Sequence, residues 1–319
     1  ETELLIIKTI LNKPRTKEDI ANILGISIKT VRNLLPRISK NIQNYTVLQN
    51  VDAKTKYELF SVVSTKIWLP ELKQKVYKYF RCPTTPYMIV NLPNPPINNE
   101  WVLKPVGDIH FGSNSCDYKA FDECIKEIQN TANDIVVLTG DLTENSNKDS
   151  IADGVYRQIY PPQIQQEKIT YKLAPLADKI ILNVLGNHGN RTVNSVYLDP
   201  ERNICNSLEV ESFDGMMFLD IVCQSHKWEI VVAHCKMGSA TLGGRINSMA
   251  KKSIYHSADI YIMAHTHDQQ CVTDIELVRN THLNKLETKR RHYILSGGFL
   301  KYFGAYPNKE GLPPLPLGV

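Results

Sequence analysis

The stretch that decides the fold is ILNVLGNHGNR, at residues 181–191. An apolar run of the kind that forms a buried strand stops at Gly186, and Asn187, His188 and Gly189 come directly after it. The two glycines would let the backbone turn tightly. Taken alone, the stretch is typical of a turn after a buried strand. Whether Asn187 and His188 do chemistry depends on which residues stand at the ends of the other predicted strands.

Four other apolar, β-branched runs stop in the same way. They are WVLKPVGDIHFG, DIVVLTGDLTEN, KWEIVVAHCKMG and ADIYIMAHTHDQ, beginning at residues 101, 134, 227 and 258. Short strands that alternate with helical stretches predict an α/β domain, in which ligands collect beyond the carboxyl ends of the strands. The five strand ends would bring together these side chains: Asp108, His110, Asp141, Asn187, His234, His265 and His267.

This set of side chains predicts a metal site. Imidazole together with carboxylate suits Mn, Fe, Zn, Co or Ni better than Ca. Seven side chains are too many for one tetrahedral zinc, but they fit two ions that share a carboxylate. We therefore predict two divalent metal ions, with Mn²⁺ as the first choice and Fe²⁺, Zn²⁺, Co²⁺ and Ni²⁺ as alternatives.

The blocks D-x-H, G-D-x-x, G-N-H, H and H-x-H, in that order, resemble the calcineurin-like metallophosphoesterases over roughly residues 101–305. The resemblance implies an α/β fold in which two β-sheets form a sandwich flanked by helices. It also implies a dinuclear centre that hydrolyses phosphoesters. One metal would be held by Asp108, His110, Asp141 and His267. The other would be held by Asp141 as the bridge, with Asn187, His234 and His265.

The same resemblance makes His188 the catalytic residue of the set. It would approach the phosphate or the leaving oxygen without binding metal. As a partly charged imidazole, it would stabilise the transition state or protonate the leaving group.

Three features of the sequence bear on which branch of the family the chain resembles. Glu144 stands where the purple acid phosphatases have an iron-binding tyrosine, which argues against an Fe(III) centre. Gly189 stands where the Mre11/SbcD-like nuclease branch often has Asp, so this block leaves the substrate open. The stretches LSGGFLKYFGAY and PPQIQQEKITYKLAPLADKI, at residues 295–306 and 161–180, resemble a phage-type branch of the family.

Residues 1–62 predict a small winged helix-turn-helix domain. TELLIIKTILN is apolar at helical spacing, Thr16 and Asp19 form a capping signature, and Gly25 ends the following helix. Ser27 would cap the next helix, and YTVLQNVDAKTKYELFSV would form a hairpin around the turn DAKTK. The predicted core of this domain is Ile20, Ile23, Leu24, Val31, Leu34 and Leu35.

EDIANILGISIKTVRNLL, at residues 18–35, resembles the helix-turn-helix of DNA-binding regulators, whose second helix enters the major groove. The exposed side of that helix would carry the candidate DNA contacts Lys29, Thr30, Arg32 and Asn33. Residues 1–60 hold ten Lys or Arg and six Asp or Glu, which suits an anionic partner. A domain used for protein contacts or dimerisation is the alternative.

The remaining chain divides into two zones. Residues 63–100 predict a connector, with a short helix in LPELKQKVYKYF followed by a Pro- and Asn-rich linker. Residues 101–319 would form the metallophosphoesterase domain. Within it, LNKLETKRRH at 283–292 is interpreted as a solvated loop, and the alternative is a second phosphate-facing edge formed by Lys285, Lys289, Arg290 and Arg291. Seven scattered cysteines without a C-x-x-C pair predict reduced thiols in a cytoplasm, and no apolar run is long enough for a membrane span.

The sequence therefore predicts a metal-dependent phosphoric ester hydrolase, with three readings of its function. The first is a nuclease, or nucleic-acid phosphodiesterase, whose winged helix binds DNA. The second is a phosphatase or cyclic phosphodiesterase that acts on small nucleotides. The third is a DNA-binding regulator in which the metal-binding domain serves as a scaffold. A homo-oligomer stays open in each case.

Overall fold

The computed structural model describes most of the second half of the chain and part of the first. The described residues are 6, 16–41, 45–51, 58–64, 75–76, 78–81, 85–148, 150, 154–236, 241–280, 284–303, 308 and 314–318. The chain divides into two compact units, Glu1–Glu71 and Leu72–Val319. The first boundary therefore lies nine residues beyond the predicted one at residue 62. Among the described residues, no helix is long and apolar enough to cross a membrane.

The first unit contains two helices and a hairpin. Helix α1 is Lys17–Leu24, helix α2 is Ile28–Asn41, and strands β1 and β2 are Tyr45–Val51 and Glu58–Ser64. β1 and β2 pair antiparallel over their full length, as the hairpin prediction requires. The helix predicted at residues 2–12 and the turn DAKTK lie outside the described residues, apart from the buried Ile6.

Local capping explains where α1 and α2 begin and end. The Thr16 side chain accepts from the Asp19 N–H, and the Asp19 carboxylate accepts from the Thr16 N–H, so the predicted capping signature is a full capping box. Gly25 ends α1 with a φ of 63°, and the Thr30 N–H donates to the Ser27 side chain at 3.0 Å.

The predicted core of the first unit is confirmed in part. Ile20, Val31 and Leu35 are buried, whereas Ile23 is 52% exposed, so its prediction as a core residue is wrong. On a short helix only one stripe of side chains can face the core, and Ile20 occupies that stripe.

The second unit contains two sheets with helices beside them. Its strands are β3 Lys78–Arg81, β4 Tyr87–Leu92, β5 Val102–Val106, β6 Asp134–Leu138, β7 Ile180–Val184, β8 Glu211–Phe213, β9 Met217–Cys223, β10 His226–His234, β11 Ile260–Ala264, β12 Gln270–Asn280 and β13 Lys285–Leu295. Its helices are α3 Tyr118–Asn130, α4 Pro162–Leu173, α5 Asn190–Val196, α6 Pro200–Ser207 and α7 Leu242–Ser253, with short 3₁₀ turns at Gly154–Arg157 and Ala174–Leu176.

The two sheets differ in strand direction. One is parallel and has the order β5-β6-β7-β8. The other is mixed, with the order β12-β13-β11-β10-β9-β4-β3 and parallel pairs at β4/β9, β10/β11 and β11/β13. This confirms the predicted two-sheet α/β architecture.

The core lies between the inner faces of the two sheets. Val137 of the parallel sheet is fully buried in one apolar cluster with Val90, Leu219 and Val232 of the mixed sheet. Burial of such aliphatic side chains stabilises the fold by about 1.5–3 kcal/mol each. A second cluster covers the outer face of the mixed sheet, where Met249 of α7 is buried with its neighbours in the strands.

The predicted connector is wrong over strands β3 and β4. Tyr87–Leu92 pairs in parallel with β9 and therefore belongs to the mixed sheet. Met88, Val90 and Leu92 are buried, because they alternate along the strand and face the core. The helix predicted at residues 69–80 is wrong at Lys78–Arg81, which is strand, and its residues 69–74 lie outside the described residues. LNKLETKRRH is also strand, not loop, from Lys285 onward.

Candidate functional site: two adjacent metal-ligand clusters

Five of the predicted ligands have a strained backbone. Twelve described non-glycine residues have a positive φ, and five of them belong to the predicted ligand set. Such conformations cost about 1–3 kcal/mol each and persist where the surroundings hold them in place, which is common at functional sites. They are Asp108, His110, Asp141, His265 and His267, with φ of 47°, 50°, 49°, 92° and 54°.

The first cluster lies where β5 and β11 end. Ligand atoms of Asp108, His110 and His267 all lie within 4.8 Å of one another. The Nε2 atoms of His110 and His267 are 3.2 Å apart, and Asp108 Oδ1 lies 3.9 and 3.6 Å from them. Asp108 Oδ1 is buried and has no hydrogen-bond donor among the described residues. An unpaired buried carboxylate oxygen is costly, and a bound cation would satisfy it.

The second cluster lies where β6, β7, β10 and β11 end. Ligand atoms of Asp141, His234 and His265 lie within 4.8 Å of one another. His234 Nε2 is 3.3 Å from Asp141 Oδ2, 3.2 Å from His265 Nδ1 and 3.1 Å from Asn187 Oδ1. The His265 N–H also donates to Asp108 Oδ2 at 2.8 Å, which joins this cluster to the first. All seven predicted ligands are therefore brought together.

The outer nitrogens of two histidines show that the set fits a metal. His234 Nδ1 donates to the Thr139 carbonyl at 2.7 Å, and His110 Nδ1 lies 3.2 Å from the Glu144 carboxylate. With the proton on Nδ1, Nε2 of each ring presents a lone pair to the cluster. Metal-binding histidines are commonly oriented by such outer partners. Glu144, which the sequence offered only as an argument against iron, therefore has a positioning role.

The electrostatics of the site favour a positive charge between the side chains. Burial lowers the pKa of His234, but the Asp141 carboxylate outweighs it and raises this pKa to about 10. Burial raises the pKa of Asp108 to about 6, and the neighbouring Asp141 carboxylate adds to the rise. The carboxylates thus attract a proton to the imidazole in the same place where a divalent cation would neutralise them.

His188 lies beside both clusters, and its ring forms a third group of potential ligand atoms with His110 and Glu144, all within 4.8 Å of one another. Its ring packs edge-on against His110, with centroids 4.4 Å apart, and its Nε2 is 3.9 Å from Asp141 Oδ2. Burial, followed by the neighbouring His110, lowers the pKa of His188 to about 4. Its Nδ1 donates to the Glu144 carbonyl at 2.8 Å. The predicted partly charged imidazole is therefore wrong: His188 is neutral at pH 7 in this arrangement.

The two glycines of the opening stretch have different surroundings. A Cβ on Gly186 would lie 2.1 Å from the Asp141 nitrogen and 2.2 Å from Asp141 Oδ1. A Cβ on Gly189 would lie no closer than 3.5 Å to any neighbour outside its own turn, and its φ of −58° suits any residue. The predicted need for glycine therefore holds at Gly186 and is wrong at Gly189.

Sequence reasoning missed a buried carboxylate that holds two of the loops. Glu201, on α6, is 1% exposed and accepts from the backbone N–H groups of Leu142 and Gly186, both at 3.0 Å. The Asn183 side chain donates to it at 3.2 Å. Leu142 and Gly186 adjoin the ligands Asp141 and Asn187, so Glu201 fixes one strand end against the other. A single Asp-Pro-Glu helix start gave no signal of this role.

The candidate DNA contacts lie in the first unit. Lys29, Arg32 and Asn33 are exposed on α2, as the prediction requires of a binding face. Thr30 is half-buried, and its hydroxyl lies 2.8 Å from the Ser27 hydroxyl. Thr30 is therefore engaged in capping α2, which makes it the weakest of the four candidates.

The fold and the site together define the class of protein: an α/β domain of two sheets that carries two metal-ligand clusters at its strand ends. The sequence profile of the calcineurin-like phosphoesterases matches residues 106–269, just over half of the chain and a range that includes all seven predicted ligands. The chain belongs to the calcineurin-like phosphoesterase family. It is thus a phosphoesterase-type hydrolase domain with clusters suited to divalent metals.

Several solved structures are similar in part. A metallophosphoesterase from Sphaerobacter thermophilus has 12% identity over 62% of this chain and 77% of its own, with a TM-score of 0.32. Vps29 from Entamoeba histolytica, complexed with Zn²⁺, has 13% identity over 61% and 73%, with a TM-score of 0.29. A predicted phosphoesterase from Streptococcus pneumoniae has 12% identity over 62% and 73%, with a TM-score of 0.28. No curated protein sequence matches the chain significantly.

Proposed function

We propose that the chain is a dinuclear metal-dependent phosphodiesterase that acts on nucleic acid, with Mn²⁺ as its first-choice metal. The observation that carries the proposal is the convergence of seven oxygen and nitrogen ligands into two clusters joined by the contact between His265 and Asp108. The mixed set of imidazole and carboxylate ligands suits Mn²⁺, and seven ligands are enough for two ions. Asp141, buried between His188 and His234, is the proposed bridging ligand.

Two divalent ions held by these residues would neutralise the phosphate charge and lower the pKa of a bound water into the neutral range. The protein contributes position and shape. Glu144 and the Thr139 carbonyl aim the His110 and His234 rings, and Glu201 holds the loops of Asp141 and Asn187 together. Positioned charges supply most of the catalytic effect in phosphoryl transfer.

His188 has a narrower role than the sequence implied. Its Nδ1 proton is held by the Glu144 carbonyl, so Nε2 faces the site as an acceptor. That acceptor holds Arg191 Nη2 at 3.0 Å, so His188 orients a donor at the phosphate and does not begin as an acid. We therefore expect His188→Ala to lower turnover while the metals stay bound.

The first unit supports nucleic acid as the substrate. The proposed winged helix-turn-helix exposes Lys29, Arg32 and Asn33 on α2, the helix that would enter the major groove in such a domain. Phosphate neutralisation by Lys and Arg supplies most non-specific affinity for DNA. We propose that the unit binds DNA in the cytoplasm. The six described cysteines are all free thiols, and the cytoplasm keeps thiols reduced.

The test is a panel of substrates with Mn²⁺: labelled single- and double-stranded DNA, RNA, cyclic and linear nucleotides, and bis-p-nitrophenyl phosphate. The proposal expects Mn²⁺-dependent DNA degradation that is weak in His188→Ala. Cleavage of the small diester with intact DNA and RNA would favour the nucleotide phosphodiesterase instead. Sequence-specific DNA retention without hydrolysis of any phosphoester would favour the regulator.

A further inference from the structure

We propose that Arg191 is a phosphate-binding residue of this site, resting on the proposed phosphoesterase function. Arg191 lies in the first turn of α5, three residues after His188. Its Nη2 is 3.0 Å from His188 Nε2, the nitrogen that faces the clusters, and His188 Nε2 is in turn 3.9 Å from Asp141 Oδ2. The guanidinium therefore lies beside the place that a substrate phosphate must occupy.

The hydrogen bonds around His188 assign the donor role to Arg191. Because His188 Nδ1 donates to the Glu144 carbonyl at 2.8 Å, His188 Nε2 carries no proton and accepts a hydrogen bond from Arg191 Nη2. A neutral imidazole in this tautomer has no N–H to offer a phosphate oxygen. The Arg191 guanidinium does have such N–H hydrogens, and its Nη2 lies 3.0 Å from His188 Nε2.

One edge of the guanidinium is anchored and the other is free to bind. Arg191 Nη1 donates to the Glu144 carbonyl at 2.8 Å, to Glu144 Oε1 at 3.2 Å and to the Ser146 hydroxyl at 3.1 Å. Because the group is planar, these bonds fix the direction of Nη2. The second Nη2 hydrogen and the Nε hydrogen have no partner among the described residues.

The loop that carries Arg191 is itself braced. Asn147 Nδ2 donates to the Arg191 carbonyl at 3.0 Å, and Asn145 Nδ2 donates to the His188 carbonyl at 2.9 Å. The Arg191 side chain is 24% exposed, so it is held in place yet open to a ligand. A pre-positioned guanidinium fork matches the geometry of a phosphate better than an ammonium does.

The test compares Arg191→Gln and Arg191→Lys in the Mn²⁺-loaded 319-residue chain, with inorganic phosphate as the probe. Calorimetry gives the phosphate Kd, hydrolysis of bis-p-nitrophenyl phosphate gives KM and kcat, and mass spectrometry gives the metal content. Arg279→Gln, which replaces an exposed arginine on β12, is the charge-matched control. Loss of a charged hydrogen bond should raise the phosphate Kd about 10- to 100-fold in Arg191→Gln, with partial recovery in Arg191→Lys.

Each outcome decides one question. A raised phosphate Kd and KM with unchanged metal content and an unaffected control supports the inference. An unchanged Kd in Arg191→Gln overturns it, and so does a loss of metal with the loss of phosphate binding, because Arg191 would then be a scaffold residue. If the wild type hydrolyses no phosphoester but binds phosphate through Arg191, the inference stands and the proposed function fails.

Discussion

Replacement of Gly186 by alanine tests the link between the backbone and the metal site most sharply. The new Cβ would lie 2.1 Å from the Asp141 nitrogen and 2.2 Å from its Oδ1. An ordinary carbon contact needs at least 3.4 Å, so the two strand ends must separate by about 1 Å. That overpacking costs about 1–3 kcal/mol of stability, and a 1 Å misplacement of catalytic groups costs about 10²-fold in rate.

The matched control is Gly189→Ala, three residues along the same loop. Its Cβ would meet nothing closer than 3.5 Å, so stability and metal binding should be close to wild type. Calorimetric Mn²⁺ titration and thermal unfolding are the measurements, and Gly186→Ala should bind Mn²⁺ more weakly and unfold several degrees lower. Equal Mn²⁺ affinity and melting temperature in the two variants would refute this account of the Asp141–Gly186 contact.

Three further predictions concern other parts of the chain. Glu201→Gln puts an amide N–H against a backbone N–H and should lower the free energy of unfolding by about 1–3 kcal/mol. An unchanged midpoint of urea unfolding would contradict the role of Glu201 in holding the two loops together. The pKa of metal-free His234 is raised from 6.5 to about 10, so its stabilising effect is complete below pH 6.5 and is lost as the pH rises towards 10. Because the metal binds the neutral His234 ring, Mn²⁺ binding should release a proton and Mn²⁺ affinity should rise from pH 7 to pH 9. A calorimetric Mn²⁺ affinity that does not change with pH would contradict this prediction. Replacing Lys29 and Arg32 by alanine should weaken DNA binding, measured by fluorescence anisotropy. The slope of log affinity against log salt concentration should fall by about one for each lost phosphate contact. An unchanged slope would place the DNA contact elsewhere.

The strand ends could be predicted because their signal is local. At Asp108, Asp141 and His265 an apolar run, a small residue and a ligand occur in that order within a few positions. Parallel strands then bring such residues to one edge of the sheet, so order along the chain predicts proximity in space. The same local signals, Thr16 and Gly25, correctly marked the ends of α1.

The missed features depend on contacts between distant segments. Tyr87–Leu92 lies among prolines and asparagines that are typical of a linker, and only its pairing with β9 makes it a strand. Glu201 is a buried carboxylate whose partners lie 15 and 59 positions away, and no spacing rule connects them. The neutral state of His188 likewise depends on burial beside His110, which a motif does not encode.

The most direct test of the dinuclear phosphoesterase is to count metal ions and measure activity as they bind. Mn²⁺ added to the metal-free protein should bind at two sites per chain, with hydrolysis of bis-p-nitrophenyl phosphate rising as they fill. Asp141→Asn should lose metal occupancy and activity together, since its carboxylate lies between His188 and His234. Binding of fewer than two ions, or full hydrolysis by metal-free or Asp141→Asn protein, would contradict the account.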